Sequence, residues 1–280
     1  MEKFDNRPYD SIGSSRIRVR WLLPYWEEAE EYVIGKKYDV LMFQKVYWPA
    51  MMKAFEGVKI LDLCDPDWLE GRSVLEFVDL ADVTTTSTEA LAEYIRKLRP
   101  NAFVQCVPDR VYLPEYEVVK TKHEGPLKKI GWFGYAHNAH YLYSTFDELI
   151  KRGIELVTIS EQPIEPSLMY KGKIKLTNVP FNYDTLNREL GKCDAVLLPD
   201  PSAMDERGKY KSNNKTIQTW AIGMPVIKVP EDLDRFNDPK EREAEGIRAR
   251  KEVEEKWDVK LSVDEYREII RKVKEKKGIK

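Results

Sequence analysis

The chain is poor in cysteine and histidine, with three of each in 280 residues. Cys64, Cys106 and Cys193 are odd in number and far apart, with no CxxC pair and no His/Cys cluster. That excludes a disulfide framework and a structural zinc site, and it fits a reducing compartment. The opening MEKFDNRPYD has no apolar core of a signal peptide, so a cytoplasmic location is expected. No run of 18 apolar residues occurs, so no membrane-spanning helix is expected. Charge of one sign is missing too: 46 Lys+Arg face 48 Asp+Glu, net −2, which gives no bulk signature of a nucleic-acid binder.

What is present is a 42% hydrophobic content, enough for a sizeable core, arranged in short runs. Residues 16–24, 38–46, 58–64, 81–86 and 102–107 read as strands. The stretch EALAEYIRKL between the last two reads as a helix, with Leu91, Ile95 and Leu98 at helical spacing and Ser87 or Thr88 as cap. Residues 113–127 carry two prolines, a glycine and no period, and read as a linker or crossing loop in which His123 is solvated. Strands then resume at 129–133, 154–160, 174–179, 194–198 and 225–229, with helices near 138–152, 183–191 and 213–222. Alternating strands and helices predict an α/β fold in two assemblies, each on a parallel sheet. The tail from about 231 is charged and helical, with Val253, Trp257, Ile269, Ile270 and Val273 available to dock it.

Five segments carry candidate chemistry. In Ile130–Asn138 (IGWFGYAHN) a strand runs into a helix through Gly134, a position where the backbone can approach an anion. An ordinary βα turn has the same look. His137 and His140, three apart there, are compatible with a metal pair but lack a third ligand. A hydrogen bond to a phosphate or sugar fits them better, and capping or simple exposure remains open. Lys211, Ser212, Asn213, Asn214, Lys215 and Thr216 gather donors at a helix start, as a diphosphate requires, while simple capping by Ser212 or Asn213 with solvated lysines is the other reading. Asp200 and Ser202 follow a strand at its carboxyl end, where ligands of open α/β sheets sit, in a stretch that also reads as a proline-rich turn. Asp65 and Asp67 follow another strand and offer a general base or a sugar contact, while Asp65-Pro66 also suits a turn. Finally, Gly13, Ser14 and Ser15 precede Arg16 and Arg18, which would share one strand face, for an anion or as an exposed edge.

Together these residues resemble the GT-B glycosyltransferases, closest to the retaining, nucleotide-sugar-dependent group (family 4-like, group 1). KKIGWFGYAHNAHYL is similar to the first strand, glycine loop and helix of a GT-B donor domain. NVPFNYDTLNRELGKCDAVLLPDPS and KSNNKTIQTWAIGMPVI are similar to its later segments. VTTTSTEALAEYIRK resembles the end of the acceptor domain, with LDLCDPDW and SSRIR matching more loosely. The resemblance implies two Rossmann-like domains facing each other across a cleft. Residues 1–115 would form the acceptor side, 116–127 a linker, 128–230 the donor domain, and 231–280 helices packing back.

The resemblance further implies a hexosyl transfer from a UDP- or GDP-sugar, with no cofactor and no metal. Gly134, Tyr135, His137, Asn138, Ser160, Asp200, Ser202 and the 211–215 segment would hold the donor, with Val179, Pro180 and Phe181 near its base. Asp65, Asp67 and Lys211 are the catalytic candidates, and Gly13, Ser14, Ser15, Arg16 and Lys45 lie on the acceptor side. The acceptor would be a glycan, small molecule, protein or modified DNA base. The retaining group's two glutamates align onto Tyr210 and Gln218, so both acids are missing. A DNA-modifying relative would need a basic track, for which Arg16, Arg18, Lys36, Lys37 and Lys45 are the candidates. A nucleotide-sugar binder without activity is the other alternative.

Overall fold

Most of the apolar runs become parallel strands. The computed structural model describes residues 12–279; residues 1–11, with the opening MEKFDNRPYD and Ser11, lie outside the described residues. The chain divides into two compact units. The first runs through Tyr112 and takes in Glu206–Asn213 and the chain from Asp258; the second is Leu113–Asp205 with Asn214–Trp257.

In the first unit, β1 (Val40–Gln44), β2 (Val58–Leu63), β3 (Val83–Thr86) and β4 (Val104–Cys106) pair in parallel in that order. Helices α2 (Pro49–Ala54), α3 (Val74–Leu80) and α4 (Glu89–Leu98) make the crossovers. Thr88 caps α4, its hydroxyl accepting from the Leu91 N–H at 3.3 Å. Leu41, Phe43, Met52, Leu61, Leu63, Phe77 and Ile95 form the core, each worth about 2 kcal/mol when fully buried.

Residues 16–24, expected as a strand, are helical. Helix α1 (Gly13–Ser15) continues as a wide turn over Arg16–Arg20, followed by a tight turn at Leu23–Tyr25. The buried positions are Ile17, Arg18, Trp21 and Leu22, a spacing of one helical face. Arg18 is the cause: its guanidinium donates to Asp62 at 3.0 and 2.6 Å, to Tyr266 at 2.9 Å, to the Val107 carbonyl at 2.5 Å and to Asp109 at 3.2 Å. A buried arginine fixed on that many acceptors overrides a local alternation of apolar and polar residues. Tyr266 comes from α10 (Val259–Lys277), which Asp258 caps.

In the second unit, β5 (Lys129–Phe133), β6 (Glu155–Ser160), β7 (Lys175–Pro180), β8 (Ala195–Leu197) and β9 (Val226–Ile227) are all parallel, in the order β7-β6-β5-β8-β9. The order reverses between β5 and β8, so the sheet has a switch point there, the place where the two loops diverge and leave a crevice. Helices α5 (Tyr143–Arg152), α6 (Tyr183–Gly191), α7 (Asn214–Ala221), α8 (Asp232–Arg235) and α9 (Pro239–Lys256) complete the unit. His123 is 5% exposed rather than solvated. Arg242 of α9, wholly buried, draws the 123–125 segment inward by donating to His123 Nδ1 at 3.3 Å and to the Glu124 and Gly125 carbonyls at 3.3 and 2.8 Å. No helix among the described residues is long and apolar enough to cross a membrane.

Candidate functional site

The switch point of the second unit brings several of the expected donor-side residues to strand ends. Chain leaving β5 turns at Gly134, whose φ of 153° side chains disfavour. A Cβ there would lie 2.3 Å from the Lys215 ammonium. Glycine thus lets a cation from the first turn of α7 come down onto the turn. The same ammonium sits 5.3 and 5.7 Å from the ring centres of Trp132 and Phe133, a cation–π arrangement that orients it. Lys215 and Gly134, 81 positions apart in the chain, therefore meet in one place.

The residues around this pair are engaged as follows. Gly134 donates its N–H to the Ile159 carbonyl at 3.1 Å. Ala136 donates its N–H to both oxygens of Glu161 at 3.1 Å each, an interaction no sequence signal announced. Tyr135 stacks on His137 with ring centres 5.6 Å apart, and the Asn138 N–H donates to the Tyr135 carbonyl at 2.9 Å. His140 Nδ1 meets the His137 carbonyl at 2.8 Å, and its Nε2 lies 3.6 Å from Asp205. Among the described residues no group of three or more His, Cys, Asp or Glu side chains is arranged to hold a metal ion. Ser160 is buried at the end of β6, while Pro180, the last residue of β7, and Phe181 just after it are exposed. Asp200, after β8, accepts the Ser202 N–H at 2.9 Å. That backbone bond first, and the Ser202 side chain second, holds its carboxyl below the ordinary value. A separate cavity of ≈ 340 Å³ in this unit is lined by Lys120, His123, Gly223, Glu243 and Arg250 among others, and by none of these donor-side residues.

Lys211, Ser212 and Asn213 belong to the first unit, so the donor-rich run divides at Asn213/Asn214. There Lys211 lies 3.6 Å from Asp65. Lys45, at the end of β1, lies 2.8 Å from Asp65 and 3.0 Å from Asp67. Lys45 has φ 52°, a positive value found at no other non-glycine among the described residues, and strain of that kind persists only where contacts over-determine it. Tyr47 donates to Asp67 at 2.5 Å. Burial pushes the Asp65 carboxyl up, but Lys45, then Lys211 and Arg207, more than offset this and hold it below the usual range. Ser212 donates to Asp109 at 2.5 Å; burial raises the Asp109 carboxyl, and Arg18 and Ser212 reverse only part of that. Gly13, Ser14, Ser15 and Arg16 form the helical turn described above rather than a loop before a strand, and a Cβ at Gly13 would meet nothing within 4 Å. Arg18 is removed from the expected basic track by burial, and Lys36 pairs with Glu30.

The positions aligned with the missing glutamates have other duties. Tyr210 packs edge-on against Trp68, ring centres 5.1 Å apart. Gln218 is buried in α7 and accepts from the Tyr116 hydroxyl at 3.1 Å.

Solved structures share this fold. Anabaena Alr3699/HepE matches in complex with UDP and with UDP-glucose, at TM-scores of 0.59 and 0.57 and identities of 11% and 13%; each match covers 84% of this chain and 79% of that one. The pneumococcal O-GlcNAc transferase GtfA in complex with UDP and GlcNAc matches at TM-score 0.56 and 8% identity, over 84% of this chain and 56% of its own. No family model and no curated protein matches the chain. At these identities the likeness is one of fold: mixed α/β, with parallel sheets flanked by helices.

Proposed function

We propose that the chain is a GT-B glycosyltransferase, resembling the retaining family 4-like group, that moves a hexosyl group from a UDP-sugar, or a GDP-sugar, to an acceptor. The observation that carries this reading is the Lys215 ammonium held over the Gly134 turn at the β5/β8 switch point, in a fold shared with UDP-bound HepE. When the bond between the sugar's C1 and the diphosphate oxygen breaks, the electron pair leaves on the diphosphate. A preorganised cation beside it stabilises that charge without a metal. Gly134 gives the Lys215 ammonium room beside the diphosphate, with Tyr135, His137, Asn138 and Asp200 as neighbours. Val179, Pro180 and Phe181 contact the base. In the first unit, Asp65 takes the acceptor hydroxyl's hydrogen bond, and Lys45 and Lys211 keep it ionised. Asp67 supports Lys45 from a buried position.

Calorimetric titration with UDP, GDP and UDP-glucose tests the reading, together with release of free UDP from UDP-glucose. Lys215→Ala removes one charge-assisted contact, worth about 1.5–3 kcal/mol, and should weaken UDP binding roughly 10- to 100-fold. Absence of binding to every nucleotide tried would refute the proposal. The buried, engaged Gln218 at an aligned acid position favours one second reading, a nucleotide-sugar binder without turnover. Binding with no UDP release under any acceptor would select it.

A further inference from the structure

We propose that the acceptor is an uncharged saccharide, seated in the first unit against the rings of Trp68 and Tyr210, with Asp65 accepting a hydrogen bond from one of its hydroxyls. This rests on the transferase reading above and names the acceptor class for it.

The charge pattern supplies the first argument. Lys45 is paired with Asp65 and Asp67, Lys211 with Asp65, and Arg207 with Glu70. Within these pairs three cations face three carboxylates, so the paired groups carry no positive surplus, and Arg72 nearby is held over the Tyr47 ring. A DNA acceptor needs such a surplus, since phosphate neutralisation supplies most of its affinity. Arg18, which sequence alone offered to that role, is consumed inside the unit by Asp62 and Asp109. A ligand suited to a balanced cluster is neutral and rich in hydrogen-bonding groups.

Exposure then separates the two aspartates. The Asp67 side chain is 1% exposed and its Oδ2 is taken by Tyr47. Asp65 keeps 24% of its side chain exposed, so Asp65 is the carboxylate that a ligand can reach.

The rings supply the third argument. Trp68 stacks on Tyr94 with centres 3.8 Å apart and planes 6° apart. Tyr210 meets Trp68 edge-on at 5.1 Å and Tyr94 at 6.1 Å. All three rings are only partly buried. Trp68 directly follows Asp67, and Tyr210 directly precedes Lys211, so the two backbone segments that carry these rings also carry side chains of the charged cluster. A pyranose is the complement of such a surface: a face of C–H bonds for the ring, and a rim of hydroxyls for an ionised carboxylate.

Saturation-transfer NMR on the full chain, with and without UDP, tests this. The probes are methyl glucoside, methyl N-acetylglucosaminide and cellobiose at about 5 mM, enough to populate a millimolar site. Glucose 6-phosphate and a short duplex DNA serve as charged comparisons. The expected result is transfer to the ring protons of at least one neutral saccharide, weakened about five- to tenfold in Tyr210→Ala and kept in Tyr210→Phe. Three results would overturn the inference: no saccharide signal from a protein that binds UDP, preference for the charged probes, or a Tyr210→Ala variant that melts earlier yet keeps the saccharide signal. The last would mean that the rings only fasten residues 206–213. A saccharide signal from a protein that binds no nucleotide would instead count against the donor reading alone.

Discussion

Replacing His123 by glutamine should make the protein less sensitive to acid. His123 is 5% exposed, accepts from Arg242 Nε at Nδ1, and so carries its proton on Nε2 as a neutral ring. Burial first, then the charges of Lys120 and Arg242, push its pKa down to about 4; Asp194 and Glu243 pull the other way and lose. The unfolded chain takes up that proton near pH 6.5, and the folded chain refuses it until about pH 4. Stability from this group is therefore complete above about pH 6.5 and drains away as the pH falls toward 4. A gap of about 2.5 pH units, at roughly 1.4 kcal/mol each, sets a ceiling of about 3 kcal/mol. Glutamine keeps an acceptor for Arg242 and does not titrate. Urea unfolding of both proteins at about pH 7.5, 6 and 4.5 measures the effect, because titrations common to both cancel in the difference. At the highest pH the variant should be the less stable by about 1 kcal/mol, the worth of an imperfectly replaced hydrogen bond. By the lowest pH that deficit should have closed or reversed by about 2 kcal/mol. A stability difference that stays constant across the three pH values would refute the argument, since a neutral, proton-refusing imidazole cannot give it.

Arg18→Met should lower unfolding stability by about 3–5 kcal/mol, measured by urea denaturation, because Asp62 and Asp109 would be left buried without their partner; a loss under 1 kcal/mol would show that the network is dispensable. Gly246→Ala should cost about 2–3 kcal/mol in the same assay, since its Cβ would sit 2.3 Å from the Gly223 carbonyl oxygen and backbone must move to admit it. Gly134→Ala should both weaken UDP binding by calorimetry and lower the melting temperature, since a φ of 153° is disfavoured by a side chain. Its Cβ would displace the flexible Lys215 ammonium rather than rigid backbone, so a variant with unchanged affinity would separate the turn from nucleotide binding.

Much of the strand inventory is legible in the sequence. Runs such as KIGWF, IELVTIS and VKILDL are bounded by polar or glycine-containing segments, and buried parallel strands need little more than that. Helix α4 is legible as well, from the spacing of Leu91, Ile95 and Leu98 and from the Thr88 cap, and the helices expected near 183–191 and 213–222 coincide with α6 and α7. RIRVRWLLP, with arginine alternating with apolar residues, imitates a strand. Asp62, 44 positions from Arg18, together with the still more distant Val107, Asp109 and Tyr266, turns that arginine inward and selects a helical turn. The burial of His123 is hidden in the sequence for a parallel reason. A polar segment gives no hint that Arg242, more than a hundred residues later, will bury it.

By itself, the sequence determined the α/β class, the strand–turn–helix around Gly134 and the gathering of donors at 211–215, since these depend on period, glycine and short-range caps. It could not determine which donors meet which partner. Lys211 and Lys215 are four positions apart, yet one lies beside Asp65 and the other over Gly134. That choice belongs to the tertiary structure, because the range of an ammonium's strong contacts is a few ångströms in space, and only packing decides which remote residue comes within it.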